Sequence, residues 1–134
     1  MGKRVMIVDD LPDVASTLGQ MLEALGCQTR VFHDGKEALA GIPALQPDIA
    51  FLDLAMPGID GLEVARRIRA SGHDGMLLVA VTGLERAQDR ETTSAAGFDL
   101  LLVKPVRMGE LRAVLDLHAA GLDAQASPDR AVDA

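Results

Sequence analysis

Short apolar segments alternate with amphipathic segments along most of this chain. Five runs rich in apolar and β-branched side chains lie at residues 5–8, 29–32, 49–52, 76–81 and 100–103. Continuous runs of this length, bounded by turn residues, are typical of strands that are buried on both faces of a parallel sheet. The pattern therefore predicts five strands of that kind.

The segments between these runs place apolar residues at helical spacing. They predict helices over residues 12–25, 36–42, 61–71, 85–96 and 108–120. Gly26 is expected to end the first helix, and Gly41 and Pro43 are expected to end the second. In the third helix Arg69 is expected to lie mostly in solvent. The fourth helix has alanine as its only apolar residue type, so we expect it to be weakly held.

This alternation predicts a (βα)5 α/β fold, doubly wound, with helices on both faces of a five-stranded parallel sheet. Ligands of such sheets bind beyond the carboxyl ends of the strands. Residues 121–134 show no periodicity and contain two large apolar residues. We therefore expect one domain over residues 1–120, followed by a flexible C-terminal tail over 121–134.

Composition changes this picture mainly by excluding partners. The 134 residues are enough for one domain, and 20 acidic against 13 basic residues give a formal charge of −7. Such a charge repels nucleic acid phosphates and favours a cationic partner or a metal ion. Three Phe with no Tyr or Trp leave no aromatic platform for single-stranded nucleic acid.

Cysteine content and hydropathy bear on the compartment. Cys27 is the single cysteine of the sequence, so it cannot form an internal disulfide, and it indicates a reducing compartment. No apolar run approaches the roughly 20 residues needed to span a bilayer. We expect a cytoplasmic protein without a signal peptide or membrane anchor.

Polar side chains stand where four of the five predicted strands end. These are Asp9 and Asp10 after the first strand, Asp53 after the third, Thr82 after the fourth and Lys104 after the fifth. The fold directs the carboxyl ends of parallel strands toward one crevice, so we expect these side chains to lie close together.

Each of these residues alone has a simpler structural explanation. Asp10 or Asp13 could cap the first helix, Thr82 could merely favour a strand, and a Lys-Pro pair is usually a solvated turn. The joint pattern favours a chemical site instead, because three neighbouring carboxylates repel one another unless a cation joins them. Oxygen ligands without nearby Cys or His indicate a hard ion, and we expect Mg²⁺.

Several motifs resemble the receiver domains of response regulators in two-component signalling. The resemblance covers roughly residues 3–120 and rests on the segments 8–10 (VDD), 52–61 (LDLAMPGIDG), 81–83 (VTG) and 103–105 (VKP), with matching turns at 47–48 and 97–99. It implies a flavodoxin-like receiver fold and a phosphorelay function.

The resemblance also implies a role for each site residue. Asp53 would be the phosphoacceptor, and Asp10, Asp53 and the backbone carbonyl of Ala55 would bind Mg²⁺. Asp9 would hold the water shell of the ion. Thr82 would be the switch hydroxyl, and Lys104 would contact the phosphoryl group and form a cis peptide bond with the following proline.

By the same resemblance the chain is a phospho-accepting signalling domain and not an enzyme. A sensor histidine kinase or a histidine phosphotransfer protein would donate the phosphoryl group. The chain itself is expected to bind neither nucleic acid directly nor a membrane. The domain could be free-standing or the C-terminal receiver of a hybrid sensor histidine kinase. Docking is expected through Leu11, Pro12, Val14 and the loops at Pro57 and Pro105.

A phosphorylation-independent interaction module with the same fold is the alternative function, and the complete set of polar residues argues against it. A haloacid-dehalogenase-type phosphatase would need a second Asp where Ala55 stands. A flavin carrier would need a Ser/Thr-rich phosphate loop and flanking aromatics, and a nucleotide hydrolase would need a G-x-x-x-x-G-K-[ST] loop, all of which the sequence lacks.

Three positions depart from the family pattern. Leu101 stands where members usually have Tyr or Phe, so the usual coupling through an aromatic ring is not available. Ala55 and Leu84 carry side chains that cannot position water, which predicts slow loss of phosphate. The helix over 85–96 is then expected to respond to phosphorylation as a whole.

Overall fold

The computed structural model of the protein describes residues 2–83 and 90–121, in which five strands alternate with five helices. The elements are β1 (Arg4–Val8), α1 (Pro12–Ala24), β2 (Gln28–Phe32), α2 (Gly35–Leu45), β3 (Ile49–Asp53), α3 (Gly61–Ala70), β4 (Leu77–Thr82), α4 (Arg90–Ala96), β5 (Leu100–Val103) and α5 (Met108–Ala119).

The strands form one parallel sheet in the order β2-β1-β3-β4-β5. The order reverses between β1 and β3, because the chain first moves outward to β2 and then returns to the other side of β1. This reversal opens a crevice at the carboxyl ends of β1 and β3. The predicted doubly wound (βα)5 fold is confirmed.

Helices cover both faces of the sheet and create two apolar cores. Met6 of β1 and Leu52 of β3 face α2, α3 and α4, whereas Ile7 and Phe51 face α1 and α5. Successive residues of a strand point to opposite faces, so a continuous apolar run supplies both cores. The central strands β1, β3 and β4 are buried almost throughout, as predicted.

The prediction that all five strands are buried on both faces was wrong for the two edges. In β2 no residue is fully buried, and in β5 only Leu100 is. Each of these strands pairs with a single neighbour in the described part of the chain, so one side of its backbone and several side chains stay partly exposed.

Helix α2 is longer than predicted and runs through both expected stop residues. A Cβ atom at Gly41 would lie 2.5 Å from Cζ of Phe32, so this glycine makes room for an aromatic ring. The buried Ile42 anchors the same turn, and the helix continues past Pro43 to Leu45. It ends at Gln46, which adopts a left-handed conformation with φ 49°.

The start of α1 also differs from the prediction. Leu11 occupies the N-cap position and no side chain caps the helix, so neither Asp10 nor Asp13 does so. Pro12 opens the helix, where its missing N–H donor costs nothing. The carboxylate of Asp10 is therefore not occupied in capping.

Arg69 is largely withdrawn from solvent, contrary to the expectation that it lies mostly in solvent. Its side chain is 16% exposed and pairs with Asp99 at 3.0 Å. Its guanidinium also donates to the carbonyl oxygens of Gly97, His73 and Met76 at 3.0, 2.6 and 2.8 Å. Arg69 therefore ties the end of α3 to the loop before β4 and to the turn before β5.

Three sequence predictions fall wholly or partly on residues 84–89 and 122–134, outside the described ranges. They concern Leu84, the first part of the helix over 85–96, and nearly all of the predicted tail. Within the described part of that helix, Thr93 and Ala96 are buried. Among the described helices none is long and apolar enough to cross a membrane.

Candidate functional site

Three carboxylates meet where the order of the strands reverses. Asp9 and Asp10 follow β1, and Asp53 is the last residue of β3. One carboxylate oxygen from each of the three lies within 4.8 Å of the other two. The structure therefore brings together the acidic residues that the sequence predicted as a site.

A single ammonium group lies against two of these carboxylates. Lys104 follows β5, and its Nζ lies 3.2 Å from Oδ2 of Asp9 and 3.5 Å from Oδ2 of Asp53. Its backbone N–H donates to the carbonyl of Thr82 at 2.8 Å, and its peptide bond to Pro105 is cis, as predicted. Three carboxylates against one ammonium leave an excess of negative charge for a further cation.

Asp53 is one of two deeply buried residues in the cluster. The residue is 4% exposed, its Oδ1 accepts a hydrogen bond from the N–H of Ala55 at 3.1 Å, and its Oδ2 faces Lys104. Burial raises the pKa of Asp53 and the nearby Asp9 charge raises it further, against the opposing effects of the Ala55 N–H and Lys104. The carboxylate is thus held in a place where its charge is poorly solvated.

Asp9 and Asp10 differ in how firmly their carboxylates are held. Asp9 is 3% exposed, and its Oδ1 accepts from the N–H of Leu11 at 3.0 Å while its Oδ2 faces Lys104. The neighbouring Asp10 is half-buried. Its carboxylate makes no hydrogen bond within the described part of the chain, so it is free to bind a cation.

Thr82 presents an unusual hydroxyl at the end of β4. The residue is 1% exposed, and Oγ1 has no hydrogen-bond partner among the described residues. An unsatisfied buried polar group costs about 1–3 kcal/mol. A ligand oxygen in the crevice would remove this cost, so the hydroxyl points to a ligand with oxygen atoms.

The donor set fits Mg²⁺, because it consists of carboxylate oxygens. Neither Cys nor His joins the three carboxylates in the cluster. The backbone of Ala55 lies beside Asp53, since its N–H contacts that carboxylate. Metal binding by the carbonyl of Ala55 stays a prediction.

Comparison with known proteins identifies the family. Residues 5–116 match the response regulator receiver domain. The chain belongs to this family. This match confirms the resemblance that the motifs indicated. The receiver domain is a signalling domain of two-component systems.

Curated relatives of this receiver domain are longer than the chain. Response regulator MprA of Mycobacterium bovis is 39% identical over 113 residues, which are 84% of this chain and 49% of MprA. The chain therefore spans about half the length of the curated relatives it matches.

Solved structures show the same fold. The signal receiver domain of a modulated diguanylate cyclase from Desulfovibrio desulfuricans is 31% identical with a TM-score of 0.79, covering 91% of this chain and 98% of that one. A CheY-like receiver domain from Methylobacillus flagellatus is 29% identical with a TM-score of 0.78, covering 87% and 98%. The predicted flavodoxin-like receiver fold is confirmed.

The predicted docking residues surround the rim of the crevice. Leu11 is 51% exposed, Pro12, Pro57 and Pro105 are also exposed, and Val14 is half-buried. Beside them α1 and the segment 104–106 border an open apolar cavity of about 470 Å³. Docking of a kinase there stays a prediction.

His33 was not among the residues predicted from the sequence, and the structure places it next to the site. This residue directly follows β2, and its Nδ1 lies 3.2 Å from the carbonyl oxygen of Asp9. The available signal was its position, because it leaves the same edge of the sheet as the predicted site residues.

Proposed function

We propose that this receiver domain accepts a phosphoryl group on Asp53 from a phosphohistidine, in a Mg²⁺-dependent reaction. The observation that carries the proposal is the buried carboxylate of Asp53 between an ammonium and two further carboxylates. In the transfer, the bond from phosphorus to the histidine nitrogen breaks as a bond to an Asp53 oxygen forms, giving an acyl phosphate.

Phosphoryl transfer depends mainly on positioning and on neutralising charge. Ala55 holds Oδ1 of Asp53 through its N–H, which fixes the plane of the carboxylate. Lys104 reaches Oδ2 with a flexible point charge that can cover a phosphoryl oxygen. The unpartnered hydroxyl of Thr82 can donate to another phosphoryl oxygen.

Asp10, Asp53 and the carbonyl of Ala55 are the proposed ligands of Mg²⁺, with Asp9 holding water around the ion. When bound, Mg²⁺ would act as a Lewis acid and offset charge on the phosphoryl group. Asp9 is suited to its role, because hydrogen bonding by Leu11 and pairing with Lys104 hold its carboxylate in place.

The proposal extends to the partner and the context of the domain. A sensor histidine kinase or a histidine phosphotransfer protein would donate the phosphoryl group in the cytoplasm, docking at the exposed Leu11, Pro12, Pro57 and Pro105. Residues 1–120 would act as the receiver domain, with 121–134 as a flexible tail. Because the relatives are about twice as long, output would pass through a partner or a further domain.

Intact mass spectrometry tests the phosphoacceptor directly. With acetyl phosphate and Mg²⁺ the wild-type chain should gain the mass of one phosphoryl group, and Asp53→Asn should gain none. Asp13→Asn removes an exposed carboxylate of α1 outside the cluster and should behave as wild type. Removing Mg²⁺ with a chelator should prevent the gain.

Equal mass gain in wild type and Asp53→Asn would overturn the assignment of Asp53. No gain in the wild type with any phosphorylated donor, including histidine kinases, would favour an interaction module that works without phosphorylation.

A further inference from the structure

The side chain of His33 contacts a backbone carbonyl oxygen at the point where the backbone hydrogen bonds between β1 and β2 end. The N–H of Asp9 donates to the carbonyl of Phe32 at 3.1 Å, which is the last residue of β2. Beyond Phe32 the chain leaves the sheet, because Asp34 caps α2 and the helix begins at Gly35. The imidazole of His33 then faces the Asp9 carbonyl oxygen at 3.2 Å.

This contact depends on which ring nitrogen carries the proton. A carbonyl oxygen can only accept, so the contact is a hydrogen bond in the ring form that is protonated at Nδ1 of His33. The Asp9 carbonyl belongs to the peptide unit that joins Asp9 to Asp10. A donor on this oxygen therefore holds the plane of that peptide and with it the direction of the Asp10 backbone.

The contact matters most for Asp10, which has no other anchor in the described part of the chain. The carboxylate of Asp9 is held by Leu11 and Lys104, whereas that of Asp10 makes no hydrogen bond there. Asp10 nevertheless has a carboxylate oxygen within 4.8 Å of those of Asp9 and Asp53. The direction of the Asp10 carboxylate therefore depends on the orientation of the Asp10 backbone.

We propose that His33 is a positioning residue for the Mg²⁺ site, which acts by holding the Asp9 to Asp10 peptide so that the Asp10 carboxylate faces Asp53. The inference rests on the proposed function, because it concerns the metal of that same site. His33 touches the backbone of the site and not the metal or the phosphoryl group.

Variants of His33 distinguish the effect of its hydrogen-bond donor from the effect of its side-chain size. His33→Leu keeps a side chain of moderate size and removes the donor. His33→Asn restores a donor, since its Nδ2 is as many bonds from Cβ as Nδ1 of histidine. His73→Leu is the matched control, because His73 is an exposed histidine in the loop between α3 and β4, away from the acidic cluster.

Calorimetric titration of the full chain with Mg²⁺ alone measures the effect at one fixed pH. Groups that orient metal ligands typically change affinity about 10- to 100-fold, and because His33 is exposed and acts through the backbone we expect a weakening of about 3- to 10-fold in His33→Leu. His33→Asn and His73→Leu should stay within about twofold of wild type, below the range expected for His33→Leu.

The outcomes distinguish this inference from the proposed function. A wild-type chain that binds no Mg²⁺ overturns both. Mg²⁺ binding that is equal in wild type and His33→Leu, or equally weak in His33→Leu and His33→Asn, overturns the inference alone. Nitrogen NMR of the His33 ring gives a reading without metal, since a ring that is protonated only at Nε2 also overturns it.

Discussion

Removing the ammonium of Lys104 should destabilise the metal-free fold and make it more dependent on Mg²⁺. In Lys104→Met the side chain keeps most of its length but no longer carries the charge that faces Asp9 and Asp53. Two carboxylates that are 4 and 5% exposed would then repel each other in a poorly solvated crevice without a partner.

The size of the effect follows from the distances. At 3.2 Å, two unit charges in a medium of effective dielectric constant near 20 attract by about 5 kcal/mol. Dehydration and the lost freedom of the lysine side chain offset part of this. Removing one partner of a buried pair usually costs about 3–5 kcal/mol, and Lys104 is 27% exposed, so solvent screening reduces our expectation to about 2–3 kcal/mol.

Urea denaturation followed by far-ultraviolet circular dichroism measures the free energy of unfolding, with and without Mg²⁺. Mg²⁺ stabilises the fold by mass action, and it should stabilise Lys104→Met more than wild type because a competing cation is gone. In the double variant with Asp53→Asn, the cost of losing Lys104 should fall by about 1–2 kcal/mol. Lys36→Met, at an exposed lysine of α2, is the control.

Two results would refute the reasoning. One is a metal-free Lys104→Met that is as stable as the wild type. The other is an equal cost of Lys104→Met with Asp53 and with Asn at that position, which would show that the ammonium is not coupled to the proposed phosphoacceptor.

Three further predictions concern Asp53, Arg69 and Gly61. Burial raises the pKa of Asp53 in the folded state. The stability that this residue contributes is therefore present below its unfolded pKa of about 3.9 and is lost as pH rises through the folded pKa. Metal-free Asp53→Asn should unfold at a higher urea concentration than wild type near neutral pH, and the difference should shrink on acidification. Arg69→Leu should cost about 3 kcal/mol in urea denaturation, because it removes a largely buried ion pair with Asp99 and hydrogen bonds to three backbone carbonyls. The exposed Arg66→Leu should stay within about 0.5 kcal/mol. Gly61→Ala should cost about 1–3 kcal/mol and slow phosphorylation by acetyl phosphate, since its Cβ would meet the carbonyl oxygen of Asp53; Gly109→Ala, which has open space, should leave both measurements unchanged or slightly raise stability.

The interior of the fold was predictable because burial on both faces leaves a continuous apolar run. The same runs also indicated where the strands end, so the sequence alone placed the acidic cluster and Lys104 at one edge of the sheet. The edge strands were less predictable, since an apolar run does not reveal how many neighbours a strand has. The true extent of α2 was hidden for a similar reason, because only the fold shows that Gly41 faces the ring of Phe32.

The two polar residues that the sequence did not reveal act through backbone carbonyls. Arg69 donates to the carbonyl oxygens of Met76 and Gly97, and His33 contacts the carbonyl oxygen of Asp9. Residue spacing predicts which side chains share a face. Every residue carries the same backbone carbonyl group, however, so the sequence does not show which carbonyl a side chain will contact. Contacts of this kind therefore leave no pattern in the sequence.

Thr82 and Leu101 bear on how phosphorylation of Asp53 would reach the surface. Alternation along β4 puts Thr82 on the same face of the sheet as Ala80, and Ala80 is the register partner of Leu101 on β5, which packs on that face. Among the described residues the Thr82 hydroxyl has no hydrogen-bond partner to give up before it turns to a phosphoryl oxygen. Leu101 can fill space that such a movement opens, but it has no hydroxyl to bond what lies beyond. The coupling in this domain is therefore expected to pass through the backbone of Thr82 and Gly83 into the segment that follows.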